Sequence, residues 1–207
     1  MAKTVTERAD ILPALGEVLR EHGFEGASLA QITARTGLGK GSLYHFFPGG
    51  KEEMAQAVLA EIDGWFEAQV FAPLRAAGDA PPGTAARAAA EAHADPRAAA
   101  AAVRDMLARV DAYFRSGRRV CLVGVFALGE VRDRFSGQVA GYFARWRDAL
   151  AAALMRTGLA EPVAADRAED AVLAIQGALV LGRALNDPAV FTRSLARLET
   201  RLLAPAD

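Results

Sequence analysis

Between residues 28 and 51 the chain gathers hydrogen-bond donors and cations with no acid among them: Ser28, Thr33, Arg35, Lys40, Ser42, Tyr44, His45 and Lys51. Hydroxyl, phenol and imidazole donors interleaved with separate positive charges suit a surface that holds phosphate and reaches the edges of bases. The spacing places them on two short helices joined by a tight glycine turn, with a third helix opening at Lys51. The second helix is too short to bury much and carries Lys40, Ser42, Tyr44 and His45. That is the form of a helix-turn-helix reader, whose second helix enters the major groove of double-stranded DNA. Lys40 at its start can reach guanine acceptors or a phosphate. Ser42 and the bare backbone of Gly41 allow close approach to base edges. Tyr44 and His45 can donate to phosphate, and Ser28 and Thr33 on the preceding helix are further phosphate candidates. Lys51, at a helix N-terminus, adds its charge to the backbone donors there.

The chain around this stretch supports a local rather than a global reading of charge. Its 207 residues carry a formal net charge of -1, so any contact with a polyanion must come from a patch. Glu7, Asp10, Glu17, Glu21 and Glu25 precede the acid-free run and would repel phosphate. One cysteine, Cys121, excludes an intrachain disulfide and a multi-cysteine metal site. Three separated histidines offer no metal-ligand cluster, and neither metal nor cofactor is expected. The N-terminal residues contain no apolar signal core, and the longest apolar runs, Val120 to Gly129 and Ala171 to Leu181 (broken by Gln176), are too short to span a bilayer. The expected home is a reducing cytoplasm, without membrane attachment.

The elements that position the reader are all expected to be helical. Ala, Leu, Arg and Glu dominate, and strand-type alternation is missing. Thr4 to Glu7 fits a capping box for helix one, whose apolar face uses Ile11, Leu12, Leu15, Val18 and Leu19, with Pro13 in the first turns and Gly23 as its end. Ser28 to Gln31 is a second capping box, Gly37 suits the left-handed turn residue, and the reader helix runs from about Lys40 to Phe46 with Gly39 as its cap. After Pro48-Gly49-Gly50, helix four runs to about Ala77. Gly78 to Gly83 breaks the chain, and the Ala-rich Thr84 to Ala94 reads either as a short helix or as linker. Further helices are expected from Pro96 to Ser116, Arg118 to Glu130, Val131 to Thr157, Val163 to Leu185 and Pro188 to Leu203.

Phe24-Glu-Gly-Ala-Ser-Leu, Ile32, Gly37-Leu38, Lys40-Gly-Ser-Leu-Tyr-His-Phe-Phe and Gly50-Lys-Glu-Glu together resemble the N-terminal domain of the TetR family of transcriptional regulators, over roughly residues 5 to 60. Gly39 stands where that family usually has a Ser or Thr cap, at an expected cost of a few tenths of a kcal/mol. The Pro48-Gly-Gly-Lys51 turn is similar to one subgroup. The resemblance implies an all-α homodimer. A helix-turn-helix domain over residues 1–50 would be joined through helix four, 51–77, to a helical regulatory and dimerisation body over 51–207. It further implies a cavity for a small-molecule inducer in that body. Its lining would come from the bulky set Met106, Val110, Tyr113, Phe114, Cys121, Phe126, Phe143, Trp146 and Gln176, any one of which can equally be ordinary core.

In the last two long helices, Val172, Ile175, Leu179 and Gly182-Arg183 fall on one face, and Ala174, Gly177, Ala178 and Leu181 on another; either could meet a partner subunit. Gly117 to Glu130 is similar to a segment in subgroups of the family, some of which sense electrophiles or oxidants through a cysteine. Arg118 and Arg119 close to Cys121 favour a reactive thiolate, while burial as a small apolar residue is the plain alternative. The expectation is therefore a ligand- or electrophile-responsive repressor acting as a dimer on a palindromic operator. An activator or architectural protein without inducer is the alternative. A small helical enzyme is disfavoured, because no carboxylate pair, Ser-His-Asp set, CxxC, HExxH or P-loop is present.

Overall fold

A computed structural model describes residues 7–76 and 95–205. The Thr4 half of the first capping box, the end of helix four at Ala77, the break at 78–83, the Ala-rich run 84–94 and His93 lie outside the described residues. Within them the chain is helical with no strand, as expected. No described helix is long and apolar enough to cross a membrane.

The chain divides into two compact units: one comprises residues 1–64 with 121–140, the other 65–120 with 141–207. In the first unit, a 3-10 turn at Arg8–Asp10 leads into α1, Leu12–Gly26, with Pro13 in its first turn, where a missing N–H costs nothing. Gly23 leaves helical geometry (φ 68°, ψ −179°) and breaks the helix there, as expected; a single short turn follows before Ala27. Buried Gly16 faces the next long helix, its Cβ position lying 3.5 Å from the Val58 Cγ1. Next come α2, Leu29–Thr36, α3, Lys40–Phe46, and α4, Gly50–Phe66. The downstream pieces of the unit are α7, Leu122–Leu128, and a 3-10 turn, Glu130–Phe135, where one continuous helix from Arg118 and another from Val131 had been expected. Leu122, Val123, Phe126, Val131, Phe135 and Val139 are buried with Ile11, Leu15, Val18, Leu19 and Phe24 in one core. The Phe24 ring meets Phe126 and Phe135 edge-on, at 6.1 Å and 5.6 Å between centroids.

The second unit starts on the tail of α4. A π-helical turn, Glu67–Phe71, interrupts the helix before α5, Ala72–Ala76. Its extra residue brings Phe66, Val70, Phe71 and Leu74 all inward, each 0% exposed. Then follow α6, Pro96–Tyr113, the greater part of α8, Ser136–Arg156, and the pair α9, Glu161–Ala184, and α10, Ala189–Leu202. Phe66 is the hub of a ring cluster, with Phe71, Tyr113, Phe114, Tyr142 and Trp146 all within 6.2 Å of its centroid. The turn after α6 runs through three residues of positive φ, Arg115, Ser116 and Gly117. The Ser116 hydroxyl donates to the Asp111 carboxylate at 3.1 Å and holds that turn.

Ile175, Leu179 and Gly182 are buried within the unit. The alternative stripe is not a stripe, because Ala178 is buried too. The outward apolar face keeps Gly177 and Leu181 of that stripe and runs through Leu173, Val180 and Ala184 to Leu185, with the four large residues 50–63% exposed.

Candidate nucleic-acid interface

The reader is positioned by caps and by two buried anchors. Ser28 opens α2: its Oγ accepts from the Gln31 N–H at 3.3 Å, while the Gln31 amide oxygen accepts from the Ser28 N–H at 2.8 Å. Gly37 closes α2 in the left-handed region (φ 71°), donating to the Thr33 carbonyl, and sets the turn into α3. Gly39 caps α3 through its backbone alone, its carbonyl accepting from Leu43 N–H. On α3 itself Leu43 is fully buried, and Phe47 follows it into the core. Burying a leucine stabilises by about 1.5–3 kcal/mol, enough to seat a two-turn helix that leaves its other faces free.

Those faces are the ones expected. Lys40, Gly41, Ser42, Tyr44 and His45 are all exposed. Nothing lies within 4 Å of where a Cβ on Gly41 would be, so the backbone there is open to an approaching partner. The Tyr44 ring rests over Gly50, at the start of α4, and His45 packs edge-on against Phe46 at 5.5 Å. The hydroxyls on α2 are engaged locally: Ser28 Oγ also donates to Gln31 Oε1 at 2.9 Å, and Thr33 Oγ1 donates to the Ala30 carbonyl at 2.9 Å.

Two cations of the acid-free run have partners within the protein. Arg35 pairs with Glu21 of α1 at 2.7 Å, an exposed bond that offsets its charge. Lys51 is turned inward: its ammonium donates to the carbonyl of Phe24 at 2.8 Å and that of Glu25 at 3.4 Å. It also lies 4.6 Å from the Phe24 ring centroid. Lys40 keeps its charge exposed on the reader helix. Sequence reasoning missed both partnerships, because Glu21 and Phe24 lie outside the acid-free window that defined the patch.

The expected pocket residues are distributed over both units. Cys121 and Phe126 belong to the first unit, where Phe126 packs on Phe24 and Phe135 and is core of the reader. The rest belong to the second. There Met106, Val110, Phe114 and Trp146 are sealed at 0–1% exposure, and Tyr113, Phe143 and Gln176 are half-buried. Among the described residues the buried Trp146 Nε1 and Gln176 Nε2 have no hydrogen-bond partner. An open recess of about 300 Å³ lies elsewhere in that unit, lined by Arg167, Asp170, Leu198, Arg201, Leu202 and Ala204. Cys121 is 7% exposed and caps α7, its Sγ accepting from the Gly124 N–H at 3.4 Å.

Comparison with known proteins agrees with this geometry. Residues 11–58 match the model of bacterial regulatory proteins of the tetR family, and residues 96–196 match that of the C-terminal domain of LmrA/YxaF-like transcriptional regulators. The chain is 35% identical over 72 residues to the HTH-type transcriptional regulator LmrA of Bacillus subtilis (strain 168), covering 35% of this chain and 38% of LmrA. It is 36% identical over 59 residues to the HTH-type transcriptional repressor AcnR of Corynebacterium efficiens, covering 28% and 31%. These matches span only about a third of the curated relatives' length. Over its whole length the fold is similar to that of CifR, a TetR family regulator whose cysteine-substituted form was solved with a 26 bp operator duplex. The TM-score is 0.68, with 21% identity and 100% of both chains covered.

Proposed function

The chain belongs to the tetR family of bacterial regulatory proteins, and we propose that it is a sequence-specific, DNA-binding transcriptional repressor that works as a homodimer on a palindromic operator in the cytoplasm. The observation that carries this reading is α3. Its one buried residue is Leu43, and it presents Lys40, Gly41, Ser42, Tyr44 and His45 outward from a frame of caps. A helix held so firmly on one side, and left bare and polar on the others, suits insertion into a major groove. Lys40 supplies attraction to phosphate, Ser42 and the Gly41 backbone approach base edges, and Tyr44 and His45 donate to the sugar-phosphate chain. The relative AcnR carries the name of a repressor, and this supports the sign of regulation.

The homodimer is supported by the apolar face of α9. Leu173, Val180, Leu181 and Leu185 are too large and too contiguous to be left in water. Two subunits joined there would carry two readers to successive grooves, about 34–36 Å apart. A small molecule taken up in the second unit would relieve repression by favouring a geometry in which the readers no longer match that spacing, with α4 as the connecting lever. Full switching needs roughly 5.5 kcal/mol of differential affinity between the two states. A non-covalent inducer is favoured over an electrophile, because Cys121 is buried and its sulfur is engaged as a cap.

Selection of duplexes from a random-sequence pool by the full-length protein tests the reading. An enriched inverted repeat with half-sites one helical turn apart is expected. A pool that stays random, at low and at moderate salt, sinks it.

A further inference from the structure

The outward face of α9 is apolar only along its second half. Leu173, Gly177, Val180, Leu181 and Ala184 follow one another there at helical spacing. Continued toward the N-terminus, the same spacing reaches Asp170 and Asp166, with Glu169 on the flank. All three carboxylates are exposed. Arg167, which lies among them, turns away and donates to the carbonyls of Leu202, Ala204 and Pro205. Basic charge gathers at the other end of the face. Arg183 lies in the last turn of α9, and Arg193, Arg197 and Arg201 recur every fourth residue along an exposed line of α10.

Some of these charges are answered within the subunit. Arg193 pairs with Asp187 at 2.8 Å, and Arg201 lies 3.9 Å from Asp170. The side chains of Asp166, Glu169, Arg183 and Arg197 have no ion-pair or hydrogen-bond partner among the described residues. They cannot serve one another along α9. Glu169 and Arg183 are separated by about 21 Å of helix axis, at about 1.5 Å per residue.

We infer that these charges pair between subunits: the acidic start of α9 in one copy lies against the Arg183 to Arg197 stretch of a second copy of this chain, flanking the apolar seam. A two-fold contact has to be self-complementary. An acidic start laid on its own copy would set carboxylate against carboxylate, which is repelled. Laid on the basic stretch, each acid gains the partner that the isolated subunit lacks, and symmetry repeats the contact. The apolar residues supply the burial. The charged ends fix the register and select a second copy over a chain whose ends carry other charges. The inference rests on the dimer proposed above and adds which residues meet across it.

The test uses the full chain in sedimentation velocity, with native mass spectrometry of mixtures. One double variant turns the acidic start basic, Asp166→Arg with Glu169→Arg. The other turns the basic stretch acidic, Arg183→Glu with Arg197→Glu. All four residues are exposed, so helical circular dichroism is expected to stay as in the wild type. Each double variant alone is expected to dimerise about tenfold or more weakly than the wild type, while an equal mixture of the two forms the mixed dimer at near wild-type strength. A chain carrying all four changes pairs with itself again. In the wild type, the dimer dissociation constant is expected to rise about threefold or more between about 0.05 M and about 0.5 M salt. The inference is overturned if both double variants dimerise as the wild type does, or if weakened variants show no preference for each other in the mixture. A wild-type dimer indifferent to salt overturns it as well, and that arm needs no variant. In those three cases the dimer itself stands. A wild type that stays a monomer removes the dimer and this pairing together.

Discussion

Gly117 and Phe191 lie so close that a Cβ on the glycine would fall 2.7 Å from the Phe191 Cβ and 2.8 Å from the Pro188 carbonyl oxygen. The glycine also has φ 85°, which an L side chain resists. The turn after α6 is therefore moulded on the start of α10, and only a residue without a side chain fits between them. Gly117→Ala combines a left-handed penalty of about 1–2 kcal/mol with overpacking of about 1–3 kcal/mol. A loss of about 2–4 kcal/mol is expected in urea unfolding; a change under about 0.5 kcal/mol would show that the turn can move aside.

The outer face of α9 gives a second prediction. Val180 and Leu181 are 63% and 50% exposed, so an aspartate at either place costs the isolated subunit little. Across a subunit seam it would bury an unpaired charge. Val180→Asp with Leu181→Asp should convert a dimer to a monomer in sedimentation velocity, with helical circular dichroism retained. Duplex affinity should then fall by about a hundredfold or more, since two linked readers act by effective concentration. Persistence of the dimer would place the seam on another face.

Side chains of α3 should separate by kind of contact. Lys40→Ala is expected to weaken all duplexes alike and to lower the salt slope by about 0.9 per contact. Tyr44→Ala weakens all duplexes alike. Ser42→Ala leaves the slope in place and relaxes base preference at one position per half-site, by about 1–3 kcal/mol. Competition binding at several salt concentrations reads all three, and a slope unchanged in Lys40→Ala would remove the assigned phosphate contact.

Asp187 gives a dependence on pH. The hydrogen bond from Arg193, at 2.8 Å, is the main cause holding its carboxyl below the usual carboxylate range; desolvation opposes it, and the Ala189 N–H at 3.0 Å and the Arg193 charge add to the lowering. A carboxyl lowered on folding stabilises the native state above its unfolded pKa of about 3.9 and loses that contribution as pH falls through the lower folded value. Asp187→Asn should therefore melt below the wild type at neutral pH, and the gap should close beneath about pH 4. A gap constant down to pH 2 would contradict the pairing.

Much of this was legible in the residues. The caps at Ser28 and Gly37 and the polar set on the reader helix follow from local spacing, where helix periodicity and turn chemistry agree. Long-range partnership was not legible. Lys51 and Lys40 are the same residue type at two helix starts, yet one is turned inward by carbonyls of an element 26 and 27 residues away. Arg35 counts as free charge until Glu21 is seen beside it. Phe126 reads as bulk for the C-terminal body because chain order puts it there, and it packs instead with Phe24. On α9 the outward face stayed open between two stripes, because the helix carries small or apolar residues on most sides, where periodicity discriminates poorly.

The recruitment of residues 121–140 into the reader's unit has a bearing on synthesis. A nascent chain of the first 64 residues lacks Phe126, Val131 and Phe135 and so exposes the apolar groove that Phe24 and its neighbours form. At about 5–20 residues per second, that groove stays uncovered for several seconds after α4 has emerged from the ribosome. The amino-terminal portion is therefore not an excisable module: a fragment ending before residue 121 should be sticky and poorly ordered. Completion of the DNA-facing part is tied to delivery of a segment encoded far downstream.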